Sequence, residues 1–208
     1  MTSSGWSPGP GELARRPEML DARSEQSREM ARFRCAFAVL LIAVALCAYG
    51  PSFSGVFVFD DVDEILLNQK IRSLQGLSPQ LLHTGRPVVY ATLWLNYQIG
   101  KYDVLGYHVF NFATHVASGL LLFGIVGRTL QLPRFSGRYG ESSRYLAATI
   151  ALIWTVHPLQ TQAVTDVIQR CESLMGFFYL LALYCLIRGA TNRGSDSNCR
   201  KGPQGASH

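Results

Sequence analysis

The sequence predicts an all-α fold, a polytopic membrane bundle of about four transmembrane helices with amphipathic interfacial helices in its outer loops. Apolar residues make up 48% of the 208 residues and charged residues only 16%, against about 25% charged in soluble domains. Residues 35–59, 104–127 and 145–165 are uncharged runs, each long enough for the roughly 20 helical residues that cross a bilayer. These observations favour a membrane protein.

The first predicted span covers residues 35–51 and follows Arg34. Gly50 and Pro51 are expected to end or kink it, because proline cannot continue a helix. Residues 1–34 are rich in Ser, Gly, Pro and charge and are predicted to form a disordered tail. A cleaved signal peptide is the alternative, but the long preceding segment and the lack of a small-residue cleavage site favour a retained anchor.

Three further spans are predicted at 107–127, 145–157 and 171–187. The last is short, so Arg170 and Arg188 are expected to extend their head groups toward water at its ends. These spans make 35–188 a membrane domain with outer loops at 52–106 and 158–170. Residues 189–208, which are polar and glycine-rich, are predicted to be a second disordered tail.

The basic residues orient the bundle. Fourteen of the nineteen Lys and Arg precede the first span, join the second to the third, or follow the fourth. The positive-inside rule therefore places both termini in the cytoplasm. The same dispersal argues against a nucleic-acid surface, which needs basic residues on one folded face. The five cysteines show no CxxC spacing, so neither a disulfide nor a zinc site is predicted.

Four carboxylates follow the first span directly, at Asp60, Asp61, Asp63 and Glu64. Acids held together at a membrane surface are suited to two roles: general base toward a hydroxyl, or oxygen ligands for a divalent cation. The alternative is a negatively charged cap that starts a helix over residues 62–69. Composition by itself leaves these interpretations open.

A polar stripe runs along the second span. His108, Asn111, His115 and Ser118 are spaced three, four and three residues apart, which places them on one helical face. Such residues face the bundle or a cavity, because lipid cannot satisfy them. Hydrogen bonding to neighbouring helices is favoured over metal ligation by the two histidines, and no metal site is assigned.

The second outer loop alternates polar and apolar residues at helical spacing. Gln162, Thr165, Asp166 and Gln169 fall on one face, opposite Val164 and Val167. The pattern is typical of an amphipathic helix lying in the membrane interface, and a plain wetted connector is the alternative.

The first outer loop carries Arg86-Pro87 among several aromatic residues. An arginine at a membrane surface suits a phosphate, because its planar fork pairs with two phosphate oxygens.

These segments, in this order, resemble a known family. The motifs are Phe57-Val58-Phe59-Asp60-Asp61, Arg86-Pro87, Asn96-Tyr97, Gly106 to Asn111 with His115, His157 to Val164, and Arg170 to Leu174. Together they look like the N-terminal membrane part of the transmembrane and tetratricopeptide-repeat protein O-mannosyltransferases and their bacterial relatives. The resemblance covers residues 55–188; Cys171 and Gln169 stand where the family usually has other residues.

The resemblance implies an incomplete form of the GT-C glycosyltransferase fold and transfer of a sugar, usually mannose, from a polyprenyl-phosphate donor to protein Ser or Thr on the non-cytoplasmic face. By the same likeness Asp60 and Asp61 would be catalytic. Arg86 or Arg170 would hold the lipid phosphate, and His157 with Glu172 would line the site. The expected partners are the bilayer, the polyprenyl-phosphate-linked sugar, an acceptor protein, and a missing C-terminal membrane half with tetratricopeptide repeats. The membrane would be that of the endoplasmic reticulum or a bacterial inner membrane.

The sequence is compatible with two other functional classes. A non-catalytic membrane scaffold or subunit, derived from such an enzyme by truncation, fits the shortness of the chain against this family. A transporter or channel is least favoured, since no predicted span carries Asp, Glu, Lys or Arg at mid-depth, where such groups mark ion paths.

Overall fold

The computed structural model describes residues 10–57, 60–83 and 85–200, with side chains over 19–57, 60–82 and 85–191. All regular secondary structure in these ranges is helical, which confirms the predicted all-α class. The chain divides into two compact units, Met1–Leu40 and Leu41–His208.

The first unit contains most of helix α1, Pro10–Tyr49. Residues 10–34 are therefore helical, where the sequence predicts a disordered tail; residues 1–9 lie outside the described ranges. The physical reason is cooperativity, because adding residues to an existing apolar helix costs far less than starting a new one. Residues 189–200 are helical for the same reason, where the sequence predicts the second disordered tail, because the last helix extends to Arg200.

Helix α1 ends as the sequence predicts. A 3₁₀ turn, Gly50–Ser54, replaces it, with Pro51 in the first turn. After the undescribed residues 58–59, a helical turn at Asp60 and Asp61 leads into a π-helix, Val62–Leu66, and a 3₁₀ turn, Gln69–Arg72. Helices α2, Leu74–His83, and α3, Pro87–Gly100, complete the first outer loop.

Helix α4, Val104–Leu130, starts where the Asp103 carboxylate accepts a hydrogen bond from the Leu105 N–H, an N-cap interaction. A short helix α5, Pro133–Tyr139, leads to α6, Ser143–Thr155. A 3₁₀ turn, Pro158–Gln160, and helix α7, Thr161–Thr165, then connect to α8, Arg170–Arg200.

Helices α4 and α6 are antiparallel. Gln131, after the end of α4, donates to Ser143 at the start of α6, and His115 bonds the carbonyl of Thr155 at the end of α6.

Helices α4 and α8 are parallel, because their starts and their later turns lie side by side. Arg170 at the start of α8 donates to Asn111, while Arg128 near the end of α4 lies over the Tyr184 ring of α8, 4.5 Å from its centroid. The acidic segment and the 156–169 connector therefore lie at the same end of the bundle.

Three helical stretches in the described residues are long and apolar enough to cross a membrane: Met19–Ser54, Val104–Leu130 and Arg170–Thr191. The sequence predicts about four membrane spans, and the predicted span that is missing from these three is α6. Its 13 residues rise only about 20 Å, against a hydrocarbon core of about 30 Å. His157-Pro158 causes this early end, because the residue before a proline avoids the helical conformation.

The predicted amphipathic helix of the second outer loop is broken in two. Helix α7 stops at Thr165, and α8 starts only at Arg170. Val164 and Val167 are buried against the protein instead of lying in the membrane interface. The backbone of residues 166–168 forms hydrogen bonds with side chains from other elements, and these bonds stabilise the break.

Candidate functional site

The two adjacent acids occupy different environments. Asp60 is exposed, whereas the Asp61 side chain is only 2% accessible. One carboxylate oxygen of Asp61 accepts a hydrogen bond from the backbone N–H of Ile168 at 2.8 Å. Asp61 is the N-cap residue of the π-helix by position, but its side chain makes no capping bond there. The helix-cap interpretation of the acidic segment therefore does not describe Asp61.

Arg170 lies in the interior, with 0% of its surface accessible. Its guanidinium donates to Asn111 Oδ1 at 3.0 Å and to Asn96 Oδ1 at 2.6 Å. Further bonds go to the Tyr107 carbonyl at 3.1 Å and the Thr92 hydroxyl at 3.5 Å. These contacts occupy N–H groups on all three guanidinium nitrogens, so the fork that was expected to hold a phosphate is instead bonded to α3 and α4.

Asn111 connects this arginine to the break in the second outer loop. Its amide oxygen accepts from Arg170, and its amide nitrogen donates to the carbonyl of Asp166 at 2.9 Å and, more weakly, to that of Val167 at 3.5 Å. Asn111 and Asp61 together bond consecutive backbone groups of residues 166–168. Two side chains distant in sequence thus position the connector.

The first outer loop packs against α4 and α8 beside this hydrogen-bond network. Ile65, Leu93, Tyr107, Val167 and Leu174 belong to one buried apolar cluster. It joins the acidic segment to α3, α4 and α8 through buried apolar contacts.

Tyr90 links Arg86 to the acidic segment. Its hydroxyl donates to Glu64 at 3.3 Å. Burial first, and then the Glu64 carboxylate, raise the pKa of Tyr90, while the Arg86 charge lowers it. Arg86 is exposed just before α3 and therefore lies near the acidic segment with its charge available.

The polar stripe of α4 is buried, as predicted: His108, Asn111, His115 and Ser118 all lie inside. His115 Nε2 bonds the Thr155 carbonyl at 2.9 Å, and the ring stacks on Trp154 at 5.0 Å. Because a carbonyl only accepts, this bond places the ring proton on Nε2. The hydroxyl of Tyr49 donates to the same carbonyl at 2.9 Å. His115 therefore holds helices together.

His108 differs from its neighbours on the stripe. It is 3% accessible, yet neither ring nitrogen has a hydrogen-bond partner among the residues described. The Asp61 carboxylate lies close enough to interact electrostatically with both His108 and Arg170.

His157 and Glu172 are exposed at this end of the bundle. His157 Nδ1 accepts from the Leu159 N–H at 3.3 Å, so the ring caps the 3₁₀ turn. Glu172 lies in the first turn of α8.

Of the residues predicted for the site, the structure brings Asp61, His108, Asn111 and Arg170 together in the interior. Asp60, Arg86, His157 and Glu172 are exposed around them, and His115 lies deeper in the bundle. Sequence reasoning missed Thr92 and assigned no role to Asn96, although Asn96 is part of a resemblance motif. Within the described residues no group of three His, Cys, Asp or Glu side chains is arranged to hold a metal ion.

Comparison with known proteins identifies relatives for this chain. A protein O-mannosyl-transferase of Caenorhabditis elegans is 30% identical over 78% of the chain. Human protein O-mannosyl-transferase TMTC4 is 27% identical over 75%, and human TMTC1 is 28% identical over 78%. The matches cover 24%, 24% and 18% of those proteins, so the chain spans about a quarter of their length or less.

No protein-family model matches the chain, and no solved structure matches it. The likeness to the curated proteins confirms the family resemblance read from the motifs. Over about three quarters of its length, this chain is a homologue of the TMTC family of protein O-mannosyl-transferases.

Proposed function

We propose that this chain forms the acidic site of a membrane glycosyltransferase that transfers mannose from a polyprenyl-phosphate donor to Ser or Thr hydroxyls of proteins. Its relatives are named protein O-mannosyl-transferases, which supports the sugar and the acceptor. The observation that carries the proposal is that the two adjacent acids differ in exposure and in hydrogen bonding. Asp60 is free to meet a substrate at the surface, and buried Asp61 anchors the connector beside it.

In the proposed reaction, the Asp60 carboxylate accepts the proton of the acceptor hydroxyl. The hydroxyl oxygen attacks the anomeric carbon, and the bond from that carbon to the phosphate oxygen breaks. A glycosidic bond forms with inversion, and polyprenyl phosphate leaves as an anion. Arg86 is the cation we assign to that phosphate, because it is exposed near the acidic segment, whereas the N–H groups of Arg170 bond protein acceptors.

The orientation belongs to the same proposal. The basic residues of the α4–α6 connection, Arg128, Arg134, Arg138 and Arg144, favour the cytoplasm for that end of the bundle. The opposite end, with the acidic segment, then faces the lumen of the endoplasmic reticulum or the outer side of a bacterial inner membrane. Both termini would be cytoplasmic.

The test is mannosyl transfer in membranes from cells that express this chain, with a radiolabelled polyprenyl-phosphate mannose donor and a Ser/Thr-containing acceptor protein. Asp60→Asn should lower the rate at least about 100-fold, the usual contribution of a general base. Asp63→Asn is the matched control, because Asp63 is also exposed in the same segment, and it should retain the rate. Absence of transfer by the unaltered chain, or an unchanged rate for Asp60→Asn, would overturn the proposal.

A further inference from the structure

A cavity of about 480 Å³ opens between the end of α1 and helix α7. Six residues between Ala48 and Val56 form one wall, Thr161 and Thr165 form another, and His108 of α4 also lines the cavity. The cavity adjoins the proposed site, since Thr165 bonds the Asp166 carboxylate and Asp61 interacts electrostatically with His108.

Among the described residues of this cavity, His108 has a buried imidazole without a hydrogen-bond partner. It is 97% buried, and among the described residues nothing bonds either ring nitrogen. An unpaired buried polar group is unfavourable, and native proteins rarely leave one without a partner. Its neighbours on the stripe, Asn111 and His115, are both bonded. In its neutral form His108 therefore has one donor and one acceptor that no described residue uses.

Gly55 keeps the space beside this ring open. A Cβ atom at residue 55 would lie 3.3 Å from His108 Nε2 and 2.9 Å from the Ser52 carbonyl oxygen. Any side chain there would crowd the imidazole, so the glycine leaves the Nε2 side of the ring uncrowded.

The lining indicates the charge of the ligand. Ser52 donates its hydroxyl hydrogen to the Tyr49 carbonyl, and the one hydroxyl hydrogen of Thr165 is shared between the Thr161 carbonyl and the Asp166 carboxylate, which leaves lone pairs on both hydroxyl oxygens as acceptors. The described residues that line the cavity include no Lys, Arg, Asp or Glu. The cavity therefore suits a neutral molecule with hydroxyl donors and is poorly suited to a phosphate.

We propose that this cavity binds the neutral pyranose ring of a sugar, with His108 and the hydroxyl oxygens of Ser52 and Thr165 bonding its hydroxyls. Pro51 and Val56 supply apolar surface for the C–H face of the ring. The inference rests on the proposed function, in which a mannosyl group is transferred, and it assigns the sugar and the phosphate of the donor to different places. The sugar occupies the uncharged cavity, and the phosphate lies outside it.

The test follows the imidazole NMR signals of the full chain, isotopically labelled at histidine, in detergent micelles, with His108 assigned by His108→Gln. Methyl α-mannopyranoside should shift the His108 signals saturably and leave those of His115 unchanged. Thr165→Val removes one hydroxyl acceptor and should weaken binding about three- to tenfold, the effect of one hydrogen bond. Thr191→Val is the control, because Thr191 is an exposed residue of α8 far along the chain from the cavity.

Inorganic phosphate and a short Ser/Thr peptide are titrated in parallel. A His108 shift with phosphate or peptide but not with the mannoside would overturn the proposal, and so would no shift with any of the three. The result is separable from the transfer assay. Mannoside binding at His108 together with unchanged transfer by Asp60→Asn removes the catalytic proposal and keeps the sugar site, whereas loss of transfer without mannoside binding does the reverse.

Discussion

At the residue scale, side chains of the same chemical type lie in different environments. Asp60 and Asp61 are chemically identical, but one is exposed and the other bonds the backbone of Ile168. Arg86 and Arg170 divide in the same way: Arg86 is exposed, and Arg170 is buried with bonds from all three guanidinium nitrogens to protein acceptors. In each pair the buried member bonds neighbouring segments, and the exposed member faces solvent.

Asp61→Asn should lower the free energy of unfolding by about 1 kcal/mol, because a neutral amide oxygen accepts the Ile168 N–H more weakly than a carboxylate does. For a chain of this size that corresponds to a fall of about 3 °C in melting temperature. Asp60→Asn, at an exposed position, should stay within about 0.5 kcal/mol. Thermal unfolding in detergent measures both, and equal effects would contradict the division of roles.

Arg170→Lys should destabilise the protein by about 2–4 kcal/mol. A lysine ammonium cannot reproduce the fork that reaches Asn96, Asn111 and the Tyr107 carbonyl together, and it leaves buried acceptors unpaired. Arg188→Lys is the matched control, because Arg188 is an exposed residue of the same helix. Chemical denaturation of both variants provides the comparison, and a stability for Arg170→Lys equal to that of the control would refute the network.

The raised pKa of Tyr90 predicts that the stability of the protein depends on pH in the alkaline range. Burial, and then the Glu64 carboxylate, raise the pKa of Tyr90 above its ordinary 10.0. Below that pH the phenol is neutral in both folded and unfolded states; above it the unfolded state ionises first, so stability falls as the pH rises.

Tyr90→Phe should therefore flatten the loss of stability above about pH 10. Glu64→Gln keeps the phenol and removes the carboxylate charge, so it should flatten the loss only in part, since the burial remains. Unfolding midpoints measured across alkaline pH test both variants, and curves parallel to that of the unaltered protein would show that the shift is absent.

At the element scale, the close approach of α4 and α6 depends on a small residue. A Cβ on Gly119 would lie 2.7 Å from the Thr155 hydroxyl oxygen and 3.3 Å from a Leu41 methyl carbon. The same helix pair is joined by the His115 bond to the Thr155 carbonyl. Packing and hydrogen bonding at the end of α6 are therefore coupled, because separating the helices would lengthen that bond.

Gly119→Ala should destabilise the bundle by about 1–3 kcal/mol, the usual cost of overpacking. Gly176→Ala is the matched control in α8, where a Cβ would meet no atom within 4 Å; it should stabilise by about 0.5–1 kcal/mol, because alanine favours helix. Melting temperatures of the two variants should move in opposite directions. Parallel shifts would show that the α4–α6 contact does not need glycine.

At the scale of the whole described bundle, α4, α6 and α8 alternate in direction, although α6 is too short to span a bilayer by itself. Antiparallel packing of α6 on α4 returns the chain to the end that carries the acidic segment. The bundle thereby assembles its candidate site from 60–64, the start of α4, and the 156–169 connector.

Labelling with a membrane-impermeant maleimide tests this topology in sealed vesicles, in a chain whose native cysteines are replaced. Asp63→Cys and Leu159→Cys should react from the same side, because both exposed positions lie at the acidic end. Ser136→Cys in α5, at the far end of α4, should react from the opposite side. Reaction of residues 63 and 159 from opposite sides would contradict the packing of α6.

The sequence predicted the helical class, the end of α1 at Gly50-Pro51 and the burial of the α4 stripe. These follow from apolar runs, proline chemistry and helical period, which are local properties of the chain. Through a resemblance to a family it also predicted site residues, of which the structure joins Asp61, Asn111 and Arg170 by hydrogen bonds around the 166–168 backbone.

The tertiary structure alone decided how those residues divide their roles. Spacing along 158–170 predicted one amphipathic helix, but Asp61 and Asn111 bond the backbone of 166–168 and stabilise a break there. The burial of Arg170 likewise depends on residues tens of positions away, Asn96 and Asn111. Local sequence sets the intrinsic preference of each segment, whereas hydrogen bonds between distant segments outweigh that preference once water is excluded from the site.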